Sequence, residues 1–280
     1  PDCLVTVDYP GFNMKLAKLA HEKGIPVVSY IAPSAWAWHK SRAKNVAKIV
    51  DKVASIFPFE YDVYKEAGAN VEFVGHPLVD IVKPKMTEAE ANTFAGKQDD
   101  RKLILIMPGS RLMEIEKMLP TLLEAAKLIK KQLPEVDFVM PRAGSIPLQM
   151  LEEKIKASGI SVKITEGNNY DLFSVADLAL ATSGTVTLEA ALCGLGSVIV
   201  YRTNPLTYFI AKLVVNIPYI GLPNIVAGKS VLPELIQDDF TPEKVAKEAM
   251  SLLERERNAK MKEDLAYVKE RLGKPGAVGR

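Results

Sequence analysis

The residues best suited to chemistry fall in short turns that follow apolar runs. In KLILIMPGSRLMEIE (102–116), the uncharged run Leu103–Met107 turns at Pro108-Gly109-Ser110-Arg111 into a helical segment carrying Glu114, Ile115 and Met118. A strand that ends in a glycine-containing turn and feeds a helix N-terminus offers an anion both backbone N–H groups and the positive end of a helix dipole. Arg111 adds a fork for a phosphate. Alone, PGSR is better explained as an ordinary strand-to-helix turn with a surface arginine. A second such turn follows Leu178–Ala181: in Ser183-Gly184-Thr185-Val186-Thr187-Leu188-Glu189, hydroxyls and N–H groups open a helix, and Glu189 could reach a ribose diol. Its commonplace explanation is a capped core helix with an exposed glutamate. Two such turns at one sheet edge could hold the two ends of a nucleotide diphosphate.

Asp8 follows the apolar run Cys3–Val7, at the strand end where open α/β sheets place ligands. Its carboxylate could take a proton from an attacking hydroxyl, or simply cap the helix entered at Pro10. Tyr201-Arg202, after a strand ending at Val200, and Leu222-Pro223-Asn224 read as loops at the same cleft. Trp36 and Trp38 are candidates to line an apolar pocket, and His76 in VGHP is better explained as a structural group than as a catalyst. The E-x-E pairs, Glu114 included, read as helix-surface acids. No Walker A motif, G-x-G-x-x-G, G-x-S-x-G, D-x-D or close histidine pair occurs, so arginine, backbone amides and helix dipoles would neutralise a leaving diphosphate.

These turns need a parallel sheet to align them. Strands at Cys3–Val7, Ile25–Ile31, Val53–Phe57 and Val71–Val74 alternate with helices from Pro10 (Leu16, Leu19 and Ala20 inward), Arg42 and Pro58. Lys83–Asp100 changes to a polar, proline-containing stretch that reads as a linker. A second alternation follows, with strands at Leu103–Met107, Val136–Met140, Val162–Thr165, Leu178–Ala181 and Ser197–Val200. Helices from Thr241 and about Arg255 close the chain. The pattern predicts an α/β protein with two Rossmann-like halves around a cleft, divided as 1–84, a linker at 85–100, and 101–280.

Composition excludes several classes. With 280 residues, 48% hydrophobic and 25% charged, the chain has the balance of an ordinary globular protein, and a net charge of +2 gives no support for a nucleic-acid partner. Between His39 and Lys52, five Lys or Arg face only Asp51, a patch that could attract an anionic membrane surface or a phosphorylated lipid, although a solvated helix face is the commoner explanation. Cys3 and Cys193, the only cysteines, argue against a disulfide framework and suit a reducing cytoplasm. The apolar region Leu206–Gly228 is broken by Lys212, Asn216, Pro218 and Pro223, so it does not read as a membrane span.

Taken in order, VDYPGFN (7–13), PSAWAW (33–38), FPFE (57–60), FVGHPLVD (73–80), MPGSR with E-x-E (107–116), ATSGT with T-x-E (181–189), YR with PLT (201–207) and LPNIVAG (222–228) resemble the lipid-A-disaccharide synthase family. The resemblance implies a GT-B glycosyltransferase with two Rossmann-like domains facing a central cleft, the first incomplete here because family members carry a further upstream segment and continue beyond Arg280. It implies metal-free, inverting transfer of 2,3-diacylglucosamine from UDP to the 6-hydroxyl of 2,3-diacylglucosamine 1-phosphate, the UDP-sugar being a substrate and no cofactor being needed. It casts Asp8 as the base, places Gly109, Ser110, Arg111, Ser183, Gly184, Thr185, Glu189 and Asn224 around UDP, and leaves Tyr201 and Arg202 as neighbours. It also implies a cytoplasmic enzyme held peripherally at the anionic inner membrane, and is compatible with a homodimer. The rivals are a UDP-N-acetylglucosamine 2-epimerase, the undecaprenyl-linked N-acetylglucosaminyltransferase of peptidoglycan synthesis, expected to carry a G-G-S turn in place of PGSR, and a non-catalytic sugar-nucleotide-binding protein.

Overall fold

In the computed structural model, residues 1–35, 40–98, 100–204, 208 and 218–280 are described. They form two units, the first holding Pro1–Ile81 and Glu270–Arg280, the second Val82–Tyr208 and Pro218–Lys269. Trp36, Trp38 and most of the apolar stretch at 205–217 lie outside the described residues.

In the first unit, β1 (Leu4–Val7), β2 (Val27–Tyr30), β3 (Lys52–Ser55) and β4 (Val71–Phe73) form a parallel sheet in that order. Helices α1 (Pro10–Glu22), α2 (Lys40–Ile49), α3 (Pro58–Glu66) and α4 (Leu78–Ile81) connect and follow them. Pro10 and Pro58 open their helices at the first turn, where a missing N–H costs nothing. The inward face of α1 differs from expectation: Ala17 and Ala20 are buried with Val27, Val46 and Val53, while Leu16 and Leu19 are exposed. The chain's end belongs to this unit too, not to the second as its sequence position suggested. Asp80 accepts hydrogen bonds from the N–H groups of Gly276 (2.7 Å) and Ala277 (3.1 Å), and Arg280 donates to the Val74 carbonyl.

The second unit begins with α5 (Glu88–Ala95), inside the stretch read as a linker. Thr87 and Glu90 make a reciprocal capping box, and Ala91 and Ala95 are buried against Leu172 and Phe173. Buried Asp171 accepts the N–H groups of Lys85 (2.6 Å) and Met86 (2.7 Å), so the segment is part of the unit. Its polar outer face produced the linker-like composition. There follow β5 (Lys102–Met107), α6 (Leu112–Gln132), β6 (Val136–Arg142), α7 (Leu148–Ser158), β7 (Lys163–Glu166), α8 (Asn169–Val175), β8 (Leu178–Thr182), α9 (Thr185–Leu192) and β9 (Ser197–Tyr201). Then come α10 (Leu222–Ala227), β10 (Glu234–Ile236), α11 (Pro242–Leu253) and α12 (Arg255–Arg271), whose last residues pass into the first unit. All six strands run parallel, in the order β10-β9-β8-β5-β6-β7. β8 is buried along its whole length and β5 except at Lys102, as strands covered on both faces must be. Leu222-Pro223-Asn224, read as a loop, is the first turn of α10, with Pro223 in the first turn.

Candidate functional site

The second unit contains a topological switch point. From β5 the chain adds β6 and β7 on one side, then returns to place β8, β9 and β10 on the other. Loops after β5 and β8 therefore leave in opposite directions, opening a crevice at the carboxyl edge. Met107 pairs with Ala181, so the PGSR and TSGT turns start side by side.

Gly109 has φ +120°, and a Cβ there would lie 2.5 Å from Glu114 Oε2, so conformation and contact both require glycine. Glu114 is no plain surface acid. Its Oε2 accepts the N–H groups of Ser110 (2.9 Å) and Arg111 (3.2 Å), and its Oε1 accepts from the Arg111 guanidinium (2.9 Å). The turn thus already binds a carboxylate, the protein's own. The signal was legible, since a glutamate at the third helical position is half of a capping box. The Arg111 side chain is 81% exposed, and exposed ion pairs contribute about 0–1 kcal/mol, so it can re-pair with a phosphate at small cost.

At the second turn, Ser183 Oγ donates to the Ile220 carbonyl (3.1 Å) and Thr187 Oγ1 to that of Gly184 (2.8 Å). A Cβ on Gly184 would meet nothing within 4 Å, so space is open before the start of α9, and Thr185 is exposed. The Thr182 hydroxyl is buried without a partner among the described residues. Glu189 is half-buried with no hydrogen bond or ion pair among the described residues, and burial pushes its carboxyl above the usual range. Burial, then the Glu189 charge, also raises the neighbouring Tyr170. An under-hydrated carboxylate in this position is fitted to accept bonds from vicinal hydroxyls.

Tyr201 ends β9, half-buried. Arg202 is drawn inward: its guanidinium lies 4.8 Å from the Phe240 ring centre and donates to the carbonyls of Phe240 and Gln237 and to Thr121. Asn224 is fully buried and saturated. Its amide donates to Leu232 O (2.8 Å) and Glu234 (2.7 Å), while its oxygen accepts Val231 N (2.8 Å) and Leu232 N (2.9 Å). Glu234 in turn accepts the N–H groups of Ile220 and Gly221, each at 2.9 Å. Asn224 and Glu234, the latter missed in the sequence because its partners lie in a distant turn, fix the shape of the loop beside Ser183.

The first unit places Asp8 at the carboxyl edge of its own sheet, exposed, with its N–H donating to Tyr30 O (3.2 Å). Asp8 (φ 48°), Tyr9 (φ 43°) and Ile31 (φ 54°) are left-handed, each a cost of about 1–2 kcal/mol for an L residue. Of the six non-glycine residues in this region among the described residues, three thus lie in the turns after β1 and β2, and such strain clusters at functional sites. His76 is buried against Phe57, its Nδ1 accepts the Leu78 N–H (3.1 Å), and burial depresses it to about 4. That environment is structural, as the sequence suggested.

Two units, each built on a parallel sheet, one with glycine-containing turns at its carboxyl edge and the other with a strained aspartate at its own, make this an α/β protein of the GT-B type. The family model described as Lipid-A-disaccharide synthetase matches residues 1–276, and this chain belongs to the lipid-A-disaccharide synthase family, whose members are glycosyltransferases of lipid A biosynthesis. The lipid-A-disaccharide synthase of Geobacter sulfurreducens is 42% identical over all of this chain and 73% of its own length. That of Nitrosococcus oceani is 41% identical over 98% of this chain and 71% of its own. Among solved structures, a Staphylococcus aureus MnaA–UDP co-structure matches with a TM-score of 0.68 and 15% identity, covering 100% of this chain and 73% of that one. The Neisseria meningitidis UDP-GlcNAc 2-epimerase bound to UDP-GlcNAc gives 0.66 and 16%, covering 100% and 74%. At these identities the structural likeness speaks for the fold alone. Among the described residues, no helix is long and apolar enough to cross a membrane.

Proposed function

We propose that this enzyme transfers 2,3-diacylglucosamine from UDP to the 6-hydroxyl of 2,3-diacylglucosamine 1-phosphate, with inversion, giving a β-1,6 disaccharide and UDP. The observation that carries this reading is the family match over residues 1–276, which takes in every candidate residue above. In it, Glu189 accepts the ribose hydroxyls, an assignment supported by its half-burial without a donor among the described residues. Gly109, Ser110 and Arg111, with Ser183, Gly184 and Thr185, take the diphosphate and neutralise it as it leaves, without a metal ion. Asp8 deprotonates the attacking hydroxyl. Tyr201 neighbours the nucleotide, while Arg202 and Asn224 act at one remove by holding the surrounding loops.

The test is direct. The enzyme is given UDP-2,3-diacylglucosamine and 2,3-diacylglucosamine 1-phosphate, and products are read by mass spectrometry. A phosphorylated tetraacyl disaccharide with equimolar UDP is expected, whereas UDP binding without disaccharide would remove the lipid substrates from the reading. The same proposal has the enzyme work at the cytoplasmic face of the inner membrane, drawn there in part by Arg42, Lys44 and Lys48. Flotation with liposomes should then rise with anionic lipid content and fall with salt, and indifference to both would count against it.

A further inference from the structure

We propose that Asn13 is the positioning residue for Asp8, fixing the backbone from which the carboxylate projects. This rests on the reading of Asp8 as the base. Asp8 and Tyr9 are consecutive left-handed residues, at φ 48° and 43°, and Pro10 follows, a residue that steers its predecessor toward extended backbone. Such a turn persists only where its surroundings over-determine it. Packing among the described residues does not, because Tyr9 is 72% exposed and Asp8 is exposed as well.

The Asn13 amide supplies what packing does not. Its Nδ2 donates to the Val7 carbonyl at 3.0 Å and to the Asp8 carbonyl at 2.7 Å. Those carbonyls belong to the peptide planes on either side of the Asp8 Cα. Holding both with one rigid, planar group sets φ and ψ of Asp8 together, and with them the direction of its Cα–Cβ bond. The backbone N–H groups of Phe12 (3.3 Å) and Asn13 (3.1 Å) both reach the Tyr9 carbonyl, which ties the same turn to the start of α1. Asparagine suits the task because one amide nitrogen carries two donors and no charge; an aspartate of the same shape would set oxygen against both carbonyls.

The test measures kcat, KM for each substrate, and UDP affinity in Asn13→Ala, Asn13→Asp and Asp8→Asn, and in the double variant Asp8→Asn/Asn13→Ala. Asn13→Ala is expected to lower kcat about 10- to 100-fold with each KM and the UDP affinity within about threefold, a misplaced group costing rate and not binding. Asn13→Asp, equal in size but without the donors, should fall at least as far. In the Asp8→Asn background, Asn13→Ala should cause no further loss, since its effect passes through Asp8. An independent, multiplying loss in the double variant would overturn the positioning role, as would full turnover in Asn13→Ala while Asp8→Asn is inactive. Full turnover in Asp8→Asn alone would bring down the base reading and this inference with it. Circular dichroism and a cooperative thermal transition like that of the wild type report that each variant is folded in the first unit as well as the second, and Asn13→Asp gives the answer should Asn13→Ala fail to fold.

Discussion

The turn after β1 in the first unit and the turn after β5 in the second occupy equivalent places, each leading from the carboxyl end of a parallel strand into a helix. Their backbones solve the problem oppositely. At Gly109 the chain takes φ +120° with a glycine, free of the steric cost of a side chain, and the space of the missing Cβ admits Glu114. At Asp8 and Tyr9 it takes φ 48° and 43° with full side chains and carries the strain. On the roles proposed for the two turns, the difference follows from what each presents. A turn that offers N–H groups to an anion needs no side chain at its tightest point, so glycine serves. A turn that must offer a carboxylate cannot use glycine there, and the strain is contained by Asn13.

The contrast is open to attack, beginning with its largest effect. Asp8→Asn should lower turnover about 1,000-fold while leaving UDP affinity within a factor of two, because removing a general base typically costs 10²- to 10⁴-fold and the nucleotide is assigned to the other unit. Equal losses in both would erase the division of labour. Next is the pH dependence of the first unit. His76 is buried and depressed to about 4 against an ordinary value near 6.5, so the unfolded state binds its proton first as pH falls. Its neutral form stabilises fully above about 6.5, and that contribution, up to about 3 kcal/mol, is lost as pH drops from 6.5 toward 4. Urea midpoints at pH 7 and 5 should differ more in the wild type than in His76→Phe, and equal differences would remove His76 as the cause.

The third prediction sharpens the second unit. Glu189→Gln should weaken UDP binding about 10- to 100-fold, the range for hydrogen bonds to a charged acceptor. It should also abolish the preference for UDP over its 2′,3′-dideoxy analogue, by calorimetric titration; a preference that survives would place the ribose elsewhere. The smallest effect is expected at Gly109→Ala, which forces both a positive φ and a contact with Glu114, for a loss of about 1–2 kcal/mol in thermal stability and a few-fold in UDP affinity. An alanine tolerated without either loss would show that the two turns do not differ in the way argued.

The sequence by itself determined the regular elements and the places where chemistry could attach. The uncharged run Leu103–Met107, the Thr241-Pro242 helix start, observed with Thr241 Oγ1 accepting Lys244 N, and the small-residue turns at 108–111 and 183–185 are local patterns, read from period and turn propensity within a few residues. The ordered motifs also sufficed to suggest the family. What only the tertiary structure decided is which side chains remain free. Arg202 meets Thr121 across 81 positions of sequence, Asn224 is saturated by a strand and loop beyond its own helix, and α5 hides its alanines in a core built mostly from residues far ahead of it. Arginine, asparagine and glutamate look alike in sequence whether they await a ligand or are already bound. Their availability depends on donors and acceptors that the fold brings from elsewhere, which explains why Glu189 meets no partner among the described residues while Asn224 is saturated.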